Sequence, residues 1–290
     1  MTDLGAVFLP QLPPERLREV AEAADASGLD ELWLWEDCFS EGGVSAAAAA
    51  LAWTSRVRVG VGLLPVPLRN AAVAAMEAAV LHRTFPGRAE VVVGHGVQSW
   101  MGQVGARAAS PLTLLEEHLV ALRHLLAGEE VTTPGRYVQL DGVRLDWPPA
   151  APVRVLTGAE GPKTLELAGR AADGTVLVAG TTPASLRRAR ERIDAGREAA
   201  GRQDGHRVVV YHLAASGPDA PERLARSRSA WALPDGDDVA TAGGAEQVAQ
   251  AVRRLGDAGA DVVVLQPTAD EPDPAGFAAW AGEQVRPLLA

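Results

Sequence analysis

The chain has 290 residues, a formal net charge of −10 and 47 % hydrophobic residues, only a small part of them aromatic. That is enough apolar material for one large core. The acidic balance, without any run of Lys or Arg, excludes the counterion exchange on which polynucleotide binding depends. The single cysteine, Cys38, permits neither an intrachain disulfide nor a thiolate metal cage. The longest apolar run, 44–53 with one serine in it, is far short of the roughly 20 residues a membrane span needs. Met1-Thr2-Asp3 does not open a charged-then-apolar leader. A cytoplasmic protein with neither nucleic-acid nor membrane partner is expected.

Along the chain one local pattern recurs. A helical stretch ends near glycine, an aspartate follows, and a short run of β-branched and apolar residues begins. Gly28-Leu29-Asp30 precedes Glu31-Leu32-Trp33-Leu34-Trp35, Asp173-Gly174 precedes Thr175-Val176-Leu177-Val178, and Gly259-Ala260-Asp261 precedes Val262-Val263-Val264-Leu265. Glycine relieves the left-handed helix terminus, and a buried strand follows. Eight strands are predicted, over 6–9, 31–35, 57–63, 90–94, 153–157, 175–178, 207–212 and 262–266. Their nearly continuous apolar character suits strands covered on both faces. Helical segments over 15–26, 45–54, 71–84, 183–200 and 245–258 lie between most of them. This alternation favours one closed (β/α)₈ (TIM) barrel domain over the whole of 1–290, in preference to an open doubly wound sheet.

Two connections exceed a plain βα loop. The first, about 95–152, is predicted to hold a helix over 112–126 and a hairpin pairing 137–140 with 143–147 around Asp141-Gly142. The second covers about 213–243. Both follow strands, so both belong to the C-terminal face, where barrel enzymes keep their sites.

The candidate chemistry also follows strands. Glu36-Asp37, after the second, suits a general acid or base or a cofactor contact, and equally a helix cap or an arginine partner. Gly60-Val61-Gly62-Leu63, closing the third, marks either a bulge approached by another group or tight interior packing. His95, between Gly94 and Gly96, has the exposed backbone of a proton donor or cofactor contact. The remaining histidines show no metal-ligand spacing. After the fifth strand, Gly158-Ala159-Glu160-Gly161-Pro162-Lys163-Thr164 opens a helix whose first-turn amides and dipole suit an anion, beside the chain's sole lysine. An ordinary helix start is the alternative. Trp33 and Trp35 alternate into the core, while Trp100 offers a flat wall in the loop after His95.

Taken in order, several segments resemble the luciferase-like family of flavin- and deazaflavin-dependent barrel enzymes. They are Gly28–Asp37, Thr54-Ser55-Arg56-Val57-Arg58-Val59-Gly60, Pro65–Asn70, Pro86-Gly87-Arg88, Gly94-His95-Gly96-Val97-Gln98-Ser99-Trp100, Gly158–Lys163 and Ala171-Ala172-Asp173-Gly174. The resemblance implies a barrel with an insertion over its C-terminal face and a non-proline cis peptide at Gly62–Leu63 backing the cofactor ring. It also implies cofactor phosphate at the 158–164 stretch. The Gly-Pro-Lys form is closer to the branch using the deazaflavin coenzyme F420 than to the FMN branch. Asp37 matches the family's acidic position, with His95 as a second catalytic candidate. Cys38 stands where many deazaflavin relatives carry histidine, and with Trp100 it would face the substrate. The implied activity is hydride transfer between F420 and a small organic substrate. An FMN-dependent monooxygenase and a non-catalytic ligand-binding relative are the alternatives, and a homodimer is the implied assembly.

Overall fold

The computed structural model describes residues 2–233, 236 and 238–289. In chain order its strands are β1 (Asp3–Phe8), β2 (Glu31–Leu34), β3 (Arg58–Pro65), β4 (Ala89–Gly94), β5 (Val131–Pro134), β6 (Gln139–Val143), β7 (Val155–Gly158), β8 (Gly174–Leu177), β9 (Arg207–Ala215), β10 (Ala240–Ala242) and β11 (Val262–Gln266). The helices are α1 (Leu17–Ser27), α2 (Gly43–Trp53), α3 (Ala71–Thr84), α4 (Gln98–Gln103), α5 (Pro111–Leu126), α6 (Pro162–Ala171), α7 (Pro183–Ala199), α8 (Ala220–Ala230), α9 (Ala245–Asp257) and α10 (Pro274–Trp280).

Strands β1, β2, β3, β4, β7, β8, β9 and β11 pair in parallel in that order, and β11 returns to β1. The ring of eight is closed, as the strand–helix alternation predicts. Each of the eight predicted strands overlaps one of these within a few residues.

Two apolar layers result. Inward-facing residues, including Val7, Trp33, Val92, Leu156, Val209 and Val264, fill the barrel. Outward-facing ones meet the alanine-rich faces of the surrounding helices. Alanine is short enough to let helix and sheet approach closely, which accounts for a large core with so few aromatic residues. At the N-terminal end the barrel is sealed by charge. Glu31 is 1 % exposed and Glu90 is buried. Arg207 pairs with both, Arg58 bonds Glu31 at 2.9 Å and Asp3 at 2.5 Å, and the Trp33 indole donates to Glu31 at 2.8 Å. Each buried carboxylate therefore has a partner, which is the condition for burying it at all.

The predicted hairpin is corrected. β5 pairs antiparallel with β6, so the strands are 131–134 and 139–143 and the turn lies at 135–138. Gly142, at φ +61°, sits inside β6 near a register shift. Its left-handed backbone serves a bulge there. The true turn is held by Glu117 of α5, whose carboxylate accepts from the amides of Arg136, Tyr137 and Val138. Such a long-range cap leaves no local signature. The second long connection contains α8 and β10, and β10 extends the sheet alongside β9.

Two histidines, His118 and His212, lie buried in this framework, and His206 is half-buried. His118 is 1 % exposed with both ring nitrogens unpartnered, while His206 and His212 bond the hydroxyls of Thr175 and Thr241 at 2.8 and 2.9 Å. Burial lowers all three to a pKa of about 4. Unfolding exposes them to an ordinary value near 6.5. Their contribution to stability is complete above pH 6.5 and is lost as pH falls toward 4, because the unfolded chain then binds more protons. The melting temperature should drop steeply over that interval. His118→Leu should flatten the slope by about one proton's worth. An unchanged slope in that variant would contradict the assignment.

Candidate functional site

The ends of β2, β3, β4, β7, β9 and β11 surround a cavity of about 470 Å³ at the C-terminal mouth of the barrel. Its position is the one that βα loops build in this architecture. One wall is made by a break in β3. The register with β4 shifts between Val61 and Leu64, and the Gly62–Leu63 peptide is cis. Another non-proline cis peptide joins Cys38 to Phe39.

The bulge is set by the space around it. A Cβ on Gly94 would stand 2.5 Å from Leu63 Cδ2, and one on Gly158 would do the same. Leu63 therefore drops into a notch made by two glycines on the neighbouring β4 and β7. Beneath it, a Cβ on Gly60 would come within 2.6 Å of Trp33 Cδ2, and one on Gly62 would collide with the Tyr211 hydroxyl. At each of these glycines an added Cβ would force a neighbouring side chain to shift.

The two acidic residues after β2 separate cleanly. Glu36 accepts from the Gly43 amide at 2.8 Å and is bridged by both terminal nitrogens of Arg69, which also bonds Glu77 at 2.9 Å. It ties the β2 loop to the β3 loop and to the start of α2. Asp37 has no side-chain hydrogen bond or ion pair among the described residues, and burial raises its pKa. An unpaired, partly desolvated carboxyl on a cavity wall is suited to holding or releasing a proton.

Opposite it, His95 Nε2 lies 3.3 Å from the Thr164 hydroxyl, joining the β4 turn to α6. Burial lowers the histidine pKa, favouring the neutral ring. Gly96 takes φ +65°, and a Cβ there would meet Pro65 at 2.8 Å. Gln98 steadies the turn by donating to the carbonyls of His95 and Gly96. At α6 the N-cap is Gly161, with no side-chain cap and Pro162 at the first position. The polar end of the helix is thus left open toward the cavity rim, where Gly158, Ala159, Glu160, Gly161 and Thr164 lie.

Of the residues singled out in the sequence, Asp37, Gly62, Leu63, His95, Gly96 and Trp100 also line this cavity. Four do not. Gly94 is buried behind Leu63. Pro162 faces a neighbouring hollow. Lys163 is exposed, with no partner among the described residues. Cys38 lines a separate hollow beside Phe39 and Glu41, where burial, then Glu36 and Asp37, raises its thiol pKa.

The floor was not foreseen. Tyr211 is 5 % exposed and Gln266 2 %, and neither Tyr211 Oη nor Gln266 Oε1 has a hydrogen-bond partner. Burial pushes the Tyr211 hydroxyl pKa up. Trp35 packs edge-on to Tyr211 with centroids 5.5 Å apart, and lies 6.0 Å from Trp231. A polar residue closing the strand Val-Val-Val-Leu-Gln was a signal for Gln266. Trp231 had none, since it lies in a long connection.

With this geometry in place, comparison with known proteins is decisive for ancestry. Residues 3–271 match the luciferase-like monooxygenase family. The chain belongs to that family. Within it, the chain is 34 % identical over 224 residues to a 5,10-methylenetetrahydromethanopterin reductase of Methanolobus tindarius, covering 77 % of this chain and 68 % of the relative. It is 32 % identical over 192 residues to an F420-dependent glucose-6-phosphate dehydrogenase of Nakamurella multipartita, covering 60 % of this chain and 55 % of the relative. The chain thus spans about half to two thirds of the length of these luciferase-like relatives. A solved F420-dependent secondary alcohol dehydrogenase in complex with an F420–acetone adduct shares the fold, with a TM-score of 0.89 at 22 % identity, covering 100 % of this chain and 99 % of that one.

The notch around Leu63 is open to direct test. Replacing both glycines, Gly94→Ala with Gly158→Ala, should drive the leucine out of its seat and cost about 1–3 kcal/mol in urea unfolding, as overpacking does. Stability equal to the parent protein would show that Leu63 is not held there.

Proposed function

We propose that this chain is a coenzyme F420-dependent oxidoreductase that moves a hydride between the deazaflavin and a small organic substrate. The observation that carries the reading is the pairing of a Leu63 wall with an open helix terminus on the same cavity. A flat ring needs the first and a phosphate the second. The F420-dependent relatives agree with it.

The bound deazaflavin would supply a carbon centre that gives or takes a hydride and does not readily activate oxygen. The protein's own groups do the rest. The Gly62–Leu63 segment presents a flat apolar face. The first-turn amides of α6 and the Thr164 hydroxyl take the phosphate, and Lys163 adds charge from the exposed side. Trp35, Trp100 and Trp231 exclude water. Asp37 gives a proton to the substrate oxygen in the reducing direction and receives it back in the oxidising one. His95 orients Thr164.

Titration with F420 and with FMN checks the cofactor, and the reading expects saturable F420 binding at micromolar concentration. FMN binding more tightly, with no F420 binding, would contradict it. Lys163→Ala should weaken F420 only about two- to fivefold, since an exposed ion pair is worth about 0.2–1 kcal/mol. Asp37→Asn should lower kcat by about 10²–10⁴ for carbonyl reduction. In the parent enzyme that rate should decline as pH rises through the elevated Asp37 pKa. A variant with full activity and the same profile would remove Asp37 from the chemistry.

The reading includes a cytoplasmic homodimer. Val73, Met76 and Val80 make an apolar stripe along α3, 47 %, 58 % and 62 % exposed, adjoined by Leu68 at 37 %. A second copy of the same face is a suitable cover. Met76→Glu should shift light scattering toward monomer; a parent protein that is itself monomeric would exclude this face.

A further inference from the structure

The cavity wall carries acidic side chains and no basic ones among the described residues. Three carboxylates stand on its wall, at Glu36, Asp37 and Glu160. Glu36 is neutralised by Arg69. Asp37 and Glu160 have no cationic partner among the described residues. No Lys or Arg side chain lines the cavity among those residues. Pro234, Asp235 and Asp237, which lie outside the described residues, carry no cation in their side chains either. The remaining surface is aliphatic, indole and neutral polar. Trp35 and Trp231 stand 6.0 Å apart at 60°, Trp100 adds a further wall, and the unpartnered Gln266 amide closes the floor.

An anion entering this space would lose its water and find no Lys or Arg side chain to compensate it, only the Asp37 carboxyl and the exposed Glu160 carboxylate. A neutral molecule meets neither penalty, and for a cation the carboxylates offset the loss of water. Tryptophan faces attract cations, and a neutral amide serves an uncharged polar group without leaving a charge unpaired. The one anion the cavity does accommodate, at the mouth of α6, is met by backbone amides at the rim and not by the inner wall.

We propose that the substrate meeting the deazaflavin is a non-anionic small molecule: an uncharged or cationic carbonyl compound without phosphate or carboxylate, held against the tryptophans and Gln266. This rests on the F420 reading for the reaction but not for the preference, which belongs to the wall itself. In the reducing direction the hydride adds to the carbonyl carbon, the C=O π bond breaks, and its electron pair takes the proton from Asp37. A bound reduced deazaflavin would supply that hydride with its electron pair.

The test uses four para-substituted methyl ketones with the same reacting carbonyl: acetophenone, 4-acetylphenyltrimethylammonium, 4-acetylbenzoate and 4-acetylphenyl phosphate. Ligand-observed NMR on the F420-saturated protein gives a dissociation constant for each, and the series is repeated without cofactor. The neutral and cationic ketones should bind at least about tenfold more tightly than the two anions. Val178→Arg places a cation at the rim, on a side chain that is 44 % exposed and lines the cavity. It should recover most of the anion's deficit, with Glu160→Gln giving a smaller gain. Anions binding as tightly as the neutral ketone, or no ketone binding at all, would overturn the proposal. Absence of F420 binding with the charge preference intact would overturn the cofactor reading alone.

Discussion

The mouth of this barrel is organised by where one leucine side chain goes. Leu63 leaves the line of β3, and its methyl groups occupy space that Gly94 and Gly158 leave empty on the neighbouring strands. No hydrogen bond is needed for this; it is a matter of excluded volume. Because close-packed interiors respond to a single added methylene, a notch of this size fixes its occupant. The bulge then determines the outline of the wall. Gly62 must approach Tyr211, Gly60 must approach Trp33, and the turn at Gly96 must fold against Pro65. Five strands, β2, β3, β4, β7 and β9, are coupled through close contacts at glycine.

The polar architecture divides along the barrel axis. At the N-terminal end, carboxylates and arginines are matched and bonded, and they seal the barrel. At the C-terminal end, Asp37, Tyr211 and Gln266 are buried or partly buried and left unpartnered. Leaving polar groups unsatisfied costs stability, and the cavity wall carries several such groups. Glu36 is the instructive contrast. It neighbours Asp37 in sequence, yet it spends its charge on Arg69 and the Gly43 amide, holding the loops from which Asp37 projects.

Much of this was legible in the sequence. The eight strands were readable because the glycine–aspartate punctuation recurs and parallel strands are apolar on both faces. The bulge was readable because two glycines sit two apart near a strand end. His95, Trp100 and the 158–164 turn were readable because they follow strands. A lone lysine stands out in a composition, but its position at the first turn of α6 turns the side chain to solvent. Cys38 was placed by family position, whereas the loop turns it into the neighbouring hollow. The hairpin was shifted because Asp141-Gly142 looks like a turn, while the real turn is held by Glu117 far back in the chain. Tyr211 and Trp231 escaped for the same kind of reason. Their importance comes from what the closed ring of strands brings opposite them.

On the proposed reading, this notch and the open end of α6 hold one ligand between them. A crystal structure of the protein soaked with F420 would show it. The deazaflavin ring should lie in van der Waals contact with the Gly62–Leu63 segment, with a phosphate hydrogen-bonded to first-turn amides of α6. A ring lodged against another wall, with the helix terminus facing only water, would contradict it.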